Sequence, residues 1–171
     1  MMSVMNEARS ILAVVICTTL LMLCSARSFG QQTFENFDGQ TATIEQFLDG
    51  KHWLVVVIWS FRCPICQKEL PTYADLARRQ KSGSFTVIGL SIDGHEGFGG
   101  AWALLEELGD DFESLIGEAD EVTDFVLSHS HQPFRGTPTI MIFDPGRILV
   151  AFQEGPVRTD SIEEFIAQRS N

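Results

Sequence analysis

Two predominantly apolar runs, at residues 53–58 and 85–92, are the strongest pattern in the sequence. Neither run shows the regular polar alternation of a strand with one solvent face. Runs of this kind are typical of strands that are covered by helices on both faces. The sequence therefore predicts two core strands of one sheet, and the turn Asp93-Gly94 is expected to end the second.

Shorter hydrophobic segments, each followed by turn-forming residues, predict two hairpins. A helical turn is expected at residues 44–48, directly after the first hairpin. The hairpin segments are residues 34–37 and 41–43 around Asp38-Gly39, and residues 139–143 and 148–152 around residues 144–147.

Helical spacing follows the first core strand. The predicted helix should kink at Pro71 and end before Gly83. Its apolar stripe is Cys66, Leu70, Tyr73 and Ala77.

Three further helices are predicted, together with an extra strand at residues 112–116. The first two helices cover residues 102–108 and 121–127, and the third follows Asp160. Asp160 is expected to cap the third helix, with Glu163 at the capping-box position. Its buried stripe is Ile162, Phe165 and Ile166. This order of elements predicts an α/β sheet with helices on both faces, an N-terminal hairpin, and a helix and strand inserted after the second core strand.

The first 30 residues have the pattern of a secretory signal. Arg9 precedes an apolar stretch at residues 11–23 that is short for a membrane span, and small residues follow it. We expect cleavage near Gln31 and a mature domain of residues 31–171. Two alternatives stay open, namely lipidation at Cys24, for which bulky Leu23 is a poor preceding residue, and an uncleaved membrane anchor.

Composition narrows the functional classes. The chain has 171 residues, of which 44% are hydrophobic, and a formal net charge of −11. Removing residues 1–30, which hold Arg9, Arg27 and Glu7, makes the net charge −12. Such acidity argues against nucleic acid and anionic membrane surfaces as partners. The protein is expected to touch a membrane only if its N-terminal segment is uncleaved.

The cysteines carry the candidate chemistry. Cys17 and Cys24 lie in the leader, so Cys63 and Cys66 are the only pair in the predicted domain. Two cysteines are too few for a disulfide-stapled fold or a structural zinc site. Their position after a strand and at the start of a helix favours a thiolate nucleophile at Cys63 and a resolving thiol at Cys66. An inert thiol pair or a structural disulfide remains the alternative.

Three segments together resemble a known family: Cys63-Pro64-Ile65-Cys66, Glu69-Leu70-Pro71 and Gly136-Thr137-Pro138-Thr139. From about residue 34 to its end, the chain is similar to the secreted TlpA/ResA-like thiol-disulfide oxidoreductases of the thioredoxin fold. This resemblance implies a thioredoxin-like α/β fold and an enzyme that exchanges electrons with dithiol or disulfide partner proteins. It also implies a periplasmic or other extracytoplasmic location, and we expect a monomer.

The resemblance also implies roles for individual residues. Cys63 would attack and Cys66 would resolve, while a cis bond before Pro138 would turn the Thr137 backbone toward an extended substrate. Glu69, one helical turn after Cys66, would exchange the proton of the resolving thiol. Its alternative is a solvated glutamate paired with Lys68 or Arg62.

The residues around the cysteines differ from the pattern of the family at two positions. Val57 occupies the place where thioredoxins proper have a buried acid, and Arg62 the place where the family usually has tryptophan. Arg62 is expected to favour the Cys63 thiolate and, with Trp59, to contact substrate, although an exposed arginine without effect is equally compatible with the sequence. Trp53, Trp59 and Trp102 all fit core positions.

Other functions are less well matched. His129 and His131 could form a copper site with the cysteines, but copper-delivery relatives use a C-x-x-x-C spacing, and both histidines are predicted in a loop. Val56 and Ser60 occupy the proline and threonine positions of the peroxidase relatives, so direct peroxide reduction is not expected. A copper chaperone and a redox-inert interaction module remain as alternatives. The predicted thiol-disulfide exchange needs no organic cofactor, and the resemblance to the family favours a reductant.

Overall fold

The first apolar run forms the central strand of a mixed sheet. The computed structural model describes residues 32–81, 83–109 and 111–170. Strand β3 (Trp53–Trp59) pairs in parallel with β4 (Phe85–Ser91) and antiparallel with β6 (Thr139–Phe143). Every residue of β3 is buried, as expected for a strand covered on both faces.

The sheet of the described residues also contains β1 (Phe34–Asn36), β2 (Thr41–Ala42), β5 (Ser114–Ile116) and β7 (Leu149–Glu154). Its seven strands have the order β2-β1-β5-β4-β3-β6-β7. Both predicted hairpins are present, β1 with β2 and β6 with β7. The predicted insertion is also present, because β5 adds to β4 in parallel and pairs on its other side with β1.

Helices cover both faces of this sheet, so the α/β, thioredoxin-like fold is confirmed. They are α1 (Pro64–Gln80), α2 (Gly94–Leu108), α3 (Ala119–Ser130) and α4 (Thr159–Arg169), with a short 3-10 helix at Ile44–Phe47. Alternate residues of β3 belong to different hydrophobic clusters. Val55 and Val57 share one cluster with residues of α1, α2 and α4, whereas Val56 shares the other with residues of α3.

Helix α1 carries the predicted stripe. It begins at Pro64, continues through Pro71 and ends at Gln80. Its four stripe residues, Cys66, Leu70, Tyr73 and Ala77, are all buried. The helix therefore packs the second cysteine into the core and leaves the first at its N-terminal end.

Helix α2 begins at Gly94, eight residues earlier than the sequence predicted. Its glycines permit a close approach to the loop that follows β3. A Cβ at Gly97 would lie 3.1 Å from the ring of Phe61, and one at Gly100 would lie 2.5 Å from it. Tertiary packing thus overrides the low helix propensity of glycine. On the same helix Trp102 is 47% exposed, so its assignment to the core was wrong.

The predicted cap of the last helix was also wrong. Helix α4 begins at Thr159 after Arg158, and no side chain caps it. Asp160 lies inside the first turn, where it pairs with Arg158 and accepts the Ser161 N–H. Glu163 instead pairs with Arg79 across a 3.5 Å N–O distance. The capping box occurs in α3, where Glu118 and Glu121 fill the two positions.

The leader predictions fall outside the described residues. They concern residues 1–30, including the cleavage site before Gln31, lipidation at Cys24 and a retained anchor. No helix in the described part of the chain combines the length and the apolar character that a membrane crossing requires.

Neighbouring glycines of α2 give a matched stability test. Gly100→Ala should lower the free energy of unfolding by about 1–3 kcal/mol, because its Cβ overlaps the Phe61 ring. Gly99 has no atom within 4 Å of its added Cβ, so Gly99→Ala should be neutral or stabilise the helix by up to ~1 kcal/mol. Urea unfolding monitored by circular dichroism measures both, and equal effects would contradict the close packing of Phe61 on α2.

Candidate active site

Cys63 is the N-cap residue of helix α1. The chain leaves β3 through Ser60, Phe61 and Arg62, and Cys63 then adopts an extended backbone at the N-cap position, with Pro64 following as the first helical residue. The Cys63 N–H donates to the Ser60 carbonyl at 3.1 Å. The Cys63 sulfur accepts the Cys66 N–H at 3.2 Å, so it caps the helix in the place that an oxygen usually takes.

The two thiols have opposite environments. Cys63 is half-buried, whereas Cys66 is 1% exposed within the core. Burial opposes ionisation of Cys63, but interactions with Cys66, Thr137 and the backbone N–H groups of the first helical turn outweigh it and lower its pKa. Burial, followed by the interaction with Cys63, raises the pKa of Cys66 to about 12. One thiol is therefore prepared to ionise and the other to stay protonated.

The segment around Pro138 lies against the first cysteine. The Thr137–Pro138 peptide bond is cis, as the resemblance implied. The Cys63 thiol lies 3.4 Å from the Thr137 carbonyl and can donate to it. The segment is held by the Gly155 N–H, which donates to the Pro138 carbonyl at 2.8 Å, and by the Thr139 hydroxyl, which donates to the Gly136 carbonyl at 2.7 Å. The structure thus brings Cys63, Thr137 and Pro138 together.

The Arg62 side chain lies against Phe61 and near Asp93. Its guanidinium lies 4.8 Å from the centre of the Phe61 ring and 3.9 Å from a carboxylate oxygen of Asp93. Its side chain is exposed. The guanidinium is therefore accessible to a partner protein, and it also forms a long ion pair with Asp93.

Glu69 lies one turn beyond Cys66 on α1. Its carboxylate is 3.8 Å from the Lys68 ammonium, and its side chain is 27% exposed. Burial, with the charge of Glu69 contributing, raises the pKa of Tyr73. Glu69 therefore has a charged neighbour that the sequence analysis named as its alternative partner, and its role in proton exchange stays a prediction.

Trp59 does not have the surface position that substrate contact requires. Its side chain is fully buried, and its indole N–H donates to the Ser114 hydroxyl at 3.0 Å. Trp59 is the last residue of β3, and its side chain packs in the hydrophobic cluster between the sheet and helices α1, α2 and α4. Trp59 supports the strand end, and its assignment to substrate contact is corrected.

Asp93 is the residue of this site that the sequence analysis missed. Its side chain is 2% exposed, and its carboxylate accepts hydrogen bonds from Ser60, Phe61 and Ser91. The signal was available in the sequence. Parallel strands β3 and β4 end at the same edge of the sheet, so the polar residues that follow them meet there.

The AhpC/TSA family model matches residues 25–151. The chain belongs to the AhpC/TSA family. No curated protein matches it in a sequence comparison.

Solved structures share the fold of this AhpC/TSA-family protein. The thioredoxin domain of a thiol-disulfide oxidoreductase from Bacteroides vulgatus is 24% identical, with a TM-score of 0.63 over 78% of this chain and 91% of that domain. A secreted Mycobacterium tuberculosis disulfide oxidoreductase, homologous to E. coli DsbE, is 19% identical, with a TM-score of 0.61 over 81% of this chain and 96% of the other. The fold is therefore that of the thioredoxin-like redox enzymes.

A third similar structure is that of ScoI from Arabidopsis thaliana with copper bound. It is 15% identical, with a TM-score of 0.60 over 81% of this chain and 95% of ScoI. Among residues 32–170, leaving aside the undescribed Ser82 and Asp110, no three His, Cys, Asp or Glu side chains are grouped so as to hold a metal ion.

The two histidines weighed for that copper site have other surroundings. His129 belongs to α3, not to a loop as predicted, and its ring lies 4.5 Å from the Phe125 ring between centroids. His131 ends the same helix in a left-handed conformation. Aromatic packing therefore accounts for the position of His129 in this AhpC/TSA-family protein.

The opposite shifts of the two thiols predict selective labelling. Iodoacetamide should modify Cys63 at neutral pH, because its pKa lies below the ordinary thiol value, while Cys66 should stay unmodified until the pH approaches 12. Peptide mass spectrometry of the reduced protein across a pH series measures both. Equal labelling of the folded protein at pH 7 would contradict the two environments, and urea-unfolded protein, in which both thiols should react alike, is the control.

Proposed function

We propose that this protein is an extracytoplasmic thiol-disulfide oxidoreductase that reduces disulfides of partner proteins. The observation that carries the proposal is the Cys63 sulfur, which accepts the Cys66 N–H at 3.2 Å and lies 3.4 Å from the Thr137 carbonyl. A half-buried thiol of lowered pKa and a buried thiol of raised pKa are the two parts that stepwise thiol–disulfide exchange requires.

In the first step the Cys63 thiolate attacks one sulfur of the substrate disulfide. A bond forms between Cys63 and that sulfur, the substrate S–S bond breaks, and the other substrate sulfur leaves as a thiolate. Thr137 and Pro138, beside the Cys63 sulfur, would border the bound chain, with backbone groups of Thr137 available for main-chain hydrogen bonds. Arg62 would contact the partner at the exposed side of the loop.

In the second step Cys66 attacks the Cys63 sulfur. Cys66 loses its proton, the Cys63–Cys66 disulfide forms and the bond between Cys63 and the substrate sulfur breaks. The sulfur released from Cys63 takes up a proton, as does the substrate thiolate that left in the first step. The substrate has then gained two electrons and two protons, and the protein has lost them. Glu69, on the turn after Cys66, would receive the Cys66 proton. An external dithiol protein would restore the reduced pair, and no organic cofactor would be needed.

The direction and place of the reaction belong to the same proposal. The resemblance to TlpA/ResA-like proteins supports a reductant, although the direction in the cell follows the relative reduction potentials of the partners. Similarity to a secreted Mycobacterium tuberculosis oxidoreductase, together with the pattern of residues 1–30, supports a leader that directs residues 31–171 out of the cytoplasm. The domain would act as a monomer.

Two serine variants separate the steps. Cys63→Ser should reduce the rate of insulin disulfide reduction to the uncatalysed background, because no nucleophile remains at the helix start. Cys66→Ser should complete the first step alone and accumulate a mixed disulfide with the partner, which mass spectrometry after acid quenching detects. Activity that survives Cys63→Ser would contradict this assignment, and an inactive wild type with free thiols would favour the inert-module alternative.

Replacement of Glu69 tests the proton-exchange role. Glu69→Gln should slow the second step by about a hundredfold, at the lower end of the usual range for loss of a general base. It should also lower the pKa of Cys66, because a negative charge near this buried thiol is removed. Rapid-quench kinetics and the pH dependence of Cys66 labelling measure the two effects. Asp75→Asn removes an exposed charge elsewhere on α1 and is the matched control; a Glu69→Gln protein indistinguishable from it would refute the role.

A further inference from the structure

Asp93 stands at the N-cap of helix α2 but does not cap it. No side-chain hydrogen bond runs from Asp93 to the first turn of that helix. The carboxylate of Glu118 takes this position instead, accepting the His95 N–H at 2.9 Å. The Asp93 carboxylate is consequently directed to the opposite side, toward the loop that precedes Cys63.

Three donors from two strand ends meet this buried carboxylate. The Ser60 hydroxyl donates to one oxygen at 2.6 Å, while the Phe61 N–H at 2.9 Å and the Ser91 hydroxyl at 2.8 Å donate to the other. Each oxygen of the carboxylate is therefore used. A carboxylate so placed fixes the loop more firmly than neutral hydrogen bonds would, because charged acceptors make the stronger bonds.

The hydrogen bonds continue from the loop to the reactive cysteine. The Ser60 hydroxyl oxygen accepts the Arg62 N–H, and the Ser60 carbonyl accepts the Cys63 N–H, both at 3.1 Å. The Phe61 ring packs closely on Gly97 and Gly100, so α2 fixes this residue through its side chain as well. Every residue between β3 and Cys63 is thus held, directly or through Ser60, by Asp93.

We propose that Asp93 is a positioning residue for the dithiol reaction, which holds residues 60–62 so that the Cys63 sulfur meets the first backbone N–H groups of α1. This inference rests on the proposed function of Cys63 as nucleophile. It concerns a residue that touches neither the reacting sulfur nor a substrate. Its effect is transmitted through the backbone position of Cys63.

The charge and the geometry of Asp93 act on the thiolate with opposite signs. Its negative charge, which lies 3.9 Å from the Arg62 guanidinium, disfavours a second negative charge nearby, whereas its hydrogen bonds keep the Cys63 sulfur at the helix N-terminus and favour the thiolate. Comparing Asp93→Asn with Asp93→Ala separates the two. Both variants remove the charge, but only asparagine retains a carbonyl oxygen for the Phe61 N–H and an amide that can donate to Ser60.

The test measures the pH dependence of Cys63 alkylation by iodoacetamide. The midpoint for Asp93→Ala should lie above that for Asp93→Asn, and at pH 7 the alanine variant should react about three- to tenfold more slowly, as a shift of half to one pKa unit requires. Ser60→Ala keeps the Asp93 charge and removes one hydroxyl, so its midpoint should rise above that of the wild type. This milder variant also decides the question if Asp93→Ala does not fold.

Glu118→Ala is the matched control, because it removes the other carboxylate near the start of α2, whose hydrogen bonds run to His95 and to the first turn of α3. It should lower the free energy of unfolding in urea, because α2 and α3 both lose a capping carboxylate, and it should leave the alkylation profile unchanged. Coincident profiles for folded Asp93→Ala and Asp93→Asn, or an unshifted Ser60→Ala profile, would overturn the proposal. Alkylation needs no partner protein, so failure of the wild type in insulin reduction would refute the proposed function without deciding the role of Asp93.

Discussion

The dithiol site depends on the pairing of β3 with β4 and β6. The parallel register aligns Trp59 with Ser91, so the two strands end together and the residues after them meet. The antiparallel register aligns Ile58 with Thr139, so β6 begins where β3 ends and the Thr137–Pro138 segment lies beside Cys63. A shift of one residue in either pairing would turn the alternating side chains to the wrong layer and separate the three segments.

The carboxylates of Glu118 and Asp93 lie near the start of α2 and accept hydrogen bonds from different segments. Glu118 satisfies a helix N–H that Asp93 would otherwise meet, and Asp93 is then available to the loop before Cys63. Burial of a carboxylate is costly unless it is hydrogen-bonded, and Asp93 has three donors that offset this cost. The helix cap and the active-site loop are thereby parts of one arrangement.

The features of this fold that depend on local sequence could be predicted from the sequence. The apolar runs identify the central strands, turn residues identify both hairpins, and the cysteine spacing identifies the candidate nucleophile. The start of α2 was not predictable from propensity, because its glycines are favoured by close contact with Phe61, which is distant in sequence. The place of Asp93 at the shared end of β3 and β4 could be inferred from the sequence, but its hydrogen bonds to Ser60 and Phe61 became visible only in the structure.

Other misses have a similar origin. Trp59 and Trp102 are chemically equivalent, yet one is fully buried and the other exposed, because their elements turn toward different surroundings. Aspartate is a common N-cap residue, but α4 begins one residue before Asp160, and the Asp160 carboxylate pairs with Arg158. Where a side chain has several local partners of similar strength, the tertiary structure selects among them.

The ends of the sheet bear on how another chain can approach. In the described residues, one edge is the two-residue strand β2, and the other is β7, whose pairing with β6 shifts between Ile142 and Phe143. Short and irregular edges are poor templates for adding a strand. Backbone pairing with a neighbouring molecule is thus discouraged at both edges of the sheet, so the fold limits uncontrolled strand addition by its own geometry.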